Sequence, residues 1–201
     1  MHISEGVLSG PVLLTGGALA AAGTAVGLKH MDYDRIAQVG ILSSAFFIAS
    51  LIHFNIGPSS VHLVLNGIVG LLLGWTAFPA ILVALTLQSL FFQFGGITVL
   101  GVNTVNMALP AVLCYLLLGP LIKKNHSIAI VASFFAGFLS VFFAAVLLAM
   151  SLVFTEENFW EVSMLVIISN LPVMVIEGIV TAFCIAFLKK VHPVILPGYL
   201  A

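Results

Sequence analysis

Residues 100–126 read LGVNTVNMALPAVLCYLLLGPLIKKNH. From Leu100 to Ile122 no side chain is charged, and Lys123 and Lys124 close the run. A helix needs about 20 apolar residues to cross a bilayer, so this stretch reads as a membrane span with a basic foot. Outward from it, apolar segments of similar character occupy approximately 8–28, 36–54, 59–74, 77–93, 127–154 and 162–188. Of 201 residues, 62% are hydrophobic and 6% charged, and the mean hydropathy is +1.27. Soluble domains carry roughly 25% charged residues. The chain is therefore read as an integral, multi-pass membrane protein, one polytopic domain over residues 1–201, with no room for an extramembrane enzyme domain.

The third and fourth segments are short, and a single re-entrant hairpin competes with two short spans there; Gly74 and Pro79 flank a plausible turn. Charge placement arbitrates. The six basic residues lie in three places: Lys29 and Arg35 after the first segment, Lys123 and Lys124 after the fifth, Lys189 and Lys190 after the seventh. Seven spans with the N-terminus outside and the C-terminus in the cytoplasm put all of them inside, as the positive-inside tendency asks. Six or eight spans would scatter them. The expected fold is all-α with seven transmembrane helices. The first segment is dense in small residues, with Gly23 and Gly27 in a GxxxG and Gly16, Ala20 and Gly17, Ala21 at the same spacing, so it is expected to pack closely among other helices. Cys114 and Cys184 fall in apolar runs and read as small hydrophobes.

On this topology His30, His126 and His192 join the cytoplasmic lysines, whereas His2, His53 and His62 fall on the outer face. Polar groups at membrane depth are costly unless they meet a partner or a cavity, and the outer side also holds "GGIT" at 95–98 and Asn103 and Asn106. The chain begins MHISEG. A signal peptide is disfavoured because Glu5 and no Lys or Arg precede the first apolar run, and Met1 is read as the mature terminus. A free α-amine followed by X-His is a chelator. The Met1 amine, the His2 amide nitrogen and the His2 imidazole close two fused rings around one ion, and a further imidazole completes a square. Tetragonal nitrogen coordination points to Cu(II) or Ni(II), with Co(II) admitted, rather than to zinc or magnesium. Protons compete for such ligands, so capture should weaken in acid.

His62 is the preferred fourth ligand. It opens the third segment, and Asn66 lies one helical turn later on the same face. His53, beyond the helix-breaking Gly57 and Pro58, is the alternative ligand or an interfacial histidine satisfied by backbone or water. Gly95, Gly96 and Gly101 permit turns and close approach before Asn103 and Asn106, which sit three apart on one helix. Those amides can orient ligands or tie helices together. Glu177 is the one carboxylate inside an apolar span, below the outer cluster, where a structural or coupling role fits better than ligation. No HExxH, phosphate loop or triad is present, so the chain offers a binding site without a reaction, and no permanent cofactor.

Four stretches, "MHISEG", "GPSSVHLVLNG", "FGGITVLGVNTVNMALP" and "LPVMVIEGIVTAFCIAFLKKVHP", together resemble the CbiM/NikM family, the substrate-capturing membrane components of energy-coupling-factor importers for cobalt and nickel. The resemblance covers nearly the whole chain. It implies a six-helix core plus one extra N-terminal helix, with the ion held by the terminal amine, the second-residue amide and imidazole, and one further histidine, positions that fall on Met1, His2 and His62. It further implies a transmembrane coupling protein, two cytoplasmic ATPase subunits, often a small accessory membrane protein, location in the cell (inner) membrane, and a link to cobalamin biosynthesis. The chain carries no Walker motif, so ATP hydrolysis is expected from partners. The short "NIGPSS" region departs from longer relatives and bears on metal preference. Two other classes compete: a self-sufficient channel or secondary carrier, against which stands the lack of a charged relay, and a membrane haem protein using His53 and His62 as axial ligands.

Overall fold

The computed structural model describes residues 2–56 and 59–196. In chain order its elements are α1 (Gly10–Lys29), α2 (Ile36–Ala49), β1 (His53–Ile56), β2 (Ser59–His62), α3 (Asn66–Leu73), α4 (Ala77–Phe92), α5 (Leu100–Ile122), α6 (His126–Val153), α7 (Trp160–Ser169) and α8 (Leu171–Val191). The long apolar runs become helices because a chain in hydrocarbon must satisfy its backbone polar groups internally. Among the described residues, five helical stretches are long and apolar enough to cross a membrane: Gly10–Lys29, Asn66–Phe92, Leu100–Ile122, His126–Val153 and Trp160–Val191. The molecule is a helical, multi-pass membrane protein. The second predicted span yields only the 14 residues of α2, short of the roughly 20 that a perpendicular span requires.

Segment three departs most from expectation. Residues 59–74 do not form one helix. Ser59–His62 pair antiparallel with His53–Ile56, in the register His53 to His62, Phe54 to Val61, Asn55 to Ser60 and Ile56 to Ser59. The helix begins only at Asn66, because Leu65 is left-handed at φ 56°, a conformation that stops a right-handed helix from extending backwards. His62 therefore does not open a helix, and Asn66 is not its neighbour one turn on. The expected break at Gly57 and Pro58 lies outside the described residues. A 3-10 turn, Gly74–Thr76, links α3 to α4.

Small residues set the packing. On α1 the buried positions are Gly16, Ala20, Gly23 and Gly27, so two of the three expected small-residue pairs face inward, whereas Gly17 and Ala21 are exposed. Gly16 lies against Val102 of α5, Gly23 against Phe78, and Gly27 against Pro79 and the Trp75 carbonyl. Gly70 of α3 lies on the Ala111 backbone and Gly74 beneath Tyr115 of α5, so α3 and α5 run in the same direction. Gly137 of α6 meets Glu177 of α8, while Gly178 meets Phe134, so these two helices run antiparallel.

Two ends follow from these contacts. At one, Lys189 Nζ donates to the carbonyls of Ile122 (2.8 Å) and Lys124 (2.6 Å), Arg35 donates to the Ile195 carbonyl at 2.8 Å, and His30 stacks on Trp75. At the other, the Ser9 amide donates to Thr155 Oγ1 at 3.2 Å, joining the start of α1 to the end of α6, and Gln88 near the end of α4 meets Ser50 at the end of α2.

Candidate metal site

Residues 2–9 do not fray. They lie across the end of the bundle opposite the lysines. The side-chain amide of Asn103 pairs with both backbone groups of Ile3, accepting from its N–H at 3.0 Å and donating to its carbonyl at 3.1 Å. Such a two-way bond treats Ile3 as a strand residue and fixes its orientation. Ile3 and Leu8 are buried in a cluster with Val99, Val102, Leu148 and Leu152, and Glu5 accepts from the Thr98 amide at 3.1 Å. The loop between α4 and α5 can approach this closely because Gly95 and Gly96 have φ of +76° and +143°; a Cβ at Gly95 would lie 2.9 Å from Asn103 Nδ2, and one at Gly96 would strike Glu5.

The His2 ring is placed by this strap. Its Nε2 stands 2.8 Å from Gln88 Oε1, and its face tilts against Phe94 at a centroid distance of 6.2 Å. Phe94 continues into Phe92 and Phe47. Gln88, fully buried, donates from Nε2 to Ser50 Oγ at 2.6 Å. Ser50 donates in turn to the Phe47 carbonyl at 2.7 Å.

His53 and His62 occupy directly opposed positions in the ladder at the base of the ribbon. Both legs below that base are tied down. On the first, Ser50 precedes β1 by one short turn and is bonded to Gln88, the partner of His2. On the second, the carboxylate of Glu177 accepts from the Val64 amide at 2.5 Å and the Leu65 amide at 2.9 Å. His2 is thus linked through Gln88 to Ser50, three residues before His53, while Glu177 holds the backbone just after His62. Met1 and the side chains of His53 and His62 lie outside what is described. Among the described residues, no three His, Cys, Asp or Glu side chains group as a metal cluster.

The remaining sequence candidates separate. Asn66 bonds to α6, donating to the Ser140 carbonyl at 3.3 Å and accepting from Ser140 Oγ at 2.9 Å, so it ties helices rather than flanking His62. Asn103 holds the terminal strap. Asn106 lines a groove between α1, α5 and α6, and its buried Nδ2 has no hydrogen-bond partner among the described residues. Glu177 caps the backbone that leads from β2 into α3. Gln88 and Ser50 were not singled out from the sequence, although Gln88 had a signal: it is an uncharged polar residue deep in an apolar run, the same feature that singled out Asn103.

Residues 2–195 match the family described as "Cobalt uptake substrate-specific transmembrane region". The chain is 40% identical over 196 residues to a putative metal transport protein of Haemophilus influenzae, covering 96% of this chain and 95% of that one. It is 29% identical to the cobalt transport protein CbiM of Sorangium cellulosum, over 98% and 94% of the two chains. A putative fused nickel transport protein NikMN of Archaeoglobus fulgidus is 28% identical over all of this chain and 71% of its own length. Among solved structures, a transition metal transporter superposes with a TM-score of 0.78 at 24% identity, over 95% of this chain and 93% of that one, which is a likeness of fold.

Proposed function

Because the chain belongs to the CbiM family of cobalt-uptake transmembrane regions, we propose that it is the substrate-capture subunit of an ATP-driven importer for divalent cobalt or nickel. The ion is taken from the outer side by the Met1 amine, the His2 amide nitrogen, the His2 imidazole and the His62 imidazole. The chain is a cobalt or nickel transport component and a multi-pass membrane protein. The polypeptide passes the membrane seven times, the third passage made by the second strand and the half-length α3, with the N-terminus outside and the lysine-bearing end in the cytoplasm. Reorientation or opening for release is driven by two cytoplasmic ATPase subunits acting through a transmembrane coupling protein, with a small accessory membrane subunit. The chain performs no catalysis and leaves the ion chemically unchanged.

The observation that carries this reading is the Asn103 clamp on Ile3. The third residue is bonded on both sides of its backbone and the second through its ring, which supports a role for this end of the chain in the site. The ribbon register supports His62 or His53 as the remaining ligand and tells against the haem reading. Directly opposed residues have Cα atoms about 4.5–5.5 Å apart, too close for the two imidazoles to approach one iron from opposite faces of a porphyrin.

The test is a one-residue extension of the N-terminus. It removes the five-membered chelate ring between the amine and the His2 amide while leaving every described contact in place. High-affinity Ni2+ or Co2+ binding by calorimetry is expected to disappear with the thermal unfolding unchanged. Undiminished binding by the extended protein would refute the geometry. In the same assay His62→Ala should lose the ion, and retained affinity would move the fourth ligand to His53.

A further inference from the structure

We propose that Gln88 is a positioning residue that fixes the tautomer and orientation of His2, and that its own direction is set by the end of α2. This rests on the capture reading above. At the end of α2 the Leu51 amide donates to the Ile48 carbonyl at 3.0 Å, a 3-10 closure that takes it away from Phe47. The Phe47 carbonyl receives the Ser50 hydroxyl instead, at 2.7 Å. A hydroxyl has one proton, and a carbonyl has none to give. With that proton committed, Ser50 Oγ can only accept from Gln88, at 2.6 Å, so the NH2 of the Gln88 amide must face Ser50. Its Oε1 must then face His2, as it does at 2.8 Å. An oxygen acceptor requires a donor, so the neutral His2 ring carries its proton on Nε2.

That outcome is the one the chelate needs. The His2 Nδ1 is separated from its own amide nitrogen by Cα, Cβ and Cγ, so an ion held by both closes a six-membered ring. Nε2 lies on the far side of the imidazole and cannot close it. A proton on Nε2 leaves the Nδ1 lone pair for the ion. Metal-bound histidines are generally oriented by a bond from the other ring nitrogen, and loss of such a partner lowers affinity about 10- to 100-fold. Gln88 is fully buried, so no water can readily stand in for it.

Two measurements test this. The first needs no metal: 15N NMR of protein labelled at histidine, in nanodiscs at a pH where the ring is neutral, with His2 assigned by the His2→Ala variant. His2 is expected as a single Nε2–H tautomer with a slowly exchanging ring proton. A ring protonated on Nδ1 would overturn the relay. The second is calorimetry with Ni2+ alone on the native-terminus protein. Gln88→Leu should bind about 10- to 100-fold more weakly than wild type. Gln88→Glu, which keeps an acceptor toward Nε2 but gives up the donor to Ser50, should bind more tightly than Gln88→Leu and more weakly than wild type. Equal affinity for wild type and Gln88→Leu, or equal losses in the Leu and Glu variants, would overturn the proposal. If wild type binds neither Ni2+ nor Co2+, the capture reading fails, while the tautomer seen by NMR still decides the relay.

Discussion

A histidine beside a chain end is ordinarily left to fray, and what changes its character here is one amide. Asn103 gives Ile3 both a donor and an acceptor, so two bonds orient the residue next to the proposed chelate. A typical net hydrogen bond contributes about 0.5–1.5 kcal/mol. Asn103→Ala is therefore expected to weaken Ni2+ binding by about 5- to 150-fold, the equivalent of roughly 1–3 kcal/mol, with α5 and the rest of the bundle intact by circular dichroism. Asn103→Asp is the sharper variant. It keeps the acceptor for the Ile3 amide but turns a carboxylate oxygen toward the Ile3 carbonyl, so it should bind no better than alanine; wild-type affinity in either variant would show that the terminus is held by other means. At this scale the sequence was legible where a residue type implies a chemistry by itself. Asn103 stood out as an amide inside an apolar run, but its partner, the Ile3 backbone, was neither a ligand nor a neighbouring helix and could not be read. Gln88 and Ser50 could not be paired in advance, because which turn of α4 faces which turn of α2 depends on how Ser43 reaches the Ala80 carbonyl and how the small residues of α1 let the helices close up.

The elements were legible from hydropathy except where a polar anchor overrides it. Residues 59–74 read as a span, yet they divide into a strand, a left-handed residue and a half-length helix. The anchor is Glu177, which sits on another helix more than a hundred residues away and takes the amides of Val64 and Leu65. No local signal in 59–74 announces that partner. Apolar surroundings give an unbonded amide no alternative, and leaving such a group unsatisfied costs about 1–3 kcal/mol. Glu177→Ala frees two amides at once and is expected to destabilise the protein by about 2–6 kcal/mol on that scale. Glu177→Gln retains one acceptor oxygen and should fall between alanine and wild type. Because the same carboxylate fixes the leg below His62, both variants should also bind Ni2+ more weakly. Thermal unfolding and calorimetry on one preparation check the pair of effects; a destabilised Glu177→Ala with unaltered affinity would confine Glu177 to structure.

For the whole molecule, the placement of charge anticipated more than the helix count did. Lys189 with Lys124 and Arg35 with Ile195 gather basic residues at one end of the bundle, as expected from their three positions in the chain, whereas the clamp on Ile3 and the ribbon base lie at the other. The seven apolar segments could be counted in the sequence, but α2 is short and the third segment is a composite, since buried spans answer to their neighbours as well as to bilayer thickness. The two ends also bear on what drives transport. A carrier that runs on a proton gradient needs ionisable groups able to change protonation along a path through the membrane. Glu177 is the one carboxylate within an apolar span, and its oxygens are occupied by the backbone amides of Val64 and Leu65. It is committed to holding the chain. The protein reconstituted by itself in liposomes, with a pH gradient of either sign, is therefore expected to bind radioactive 63Ni2+ up to stoichiometry with the site and to accumulate none in the lumen. Co-reconstitution with ATPase and coupling subunits and ATP should convert binding into luminal uptake. Gradient-driven accumulation by the lone chain, abolished by an ionophore, would instead make it a secondary carrier.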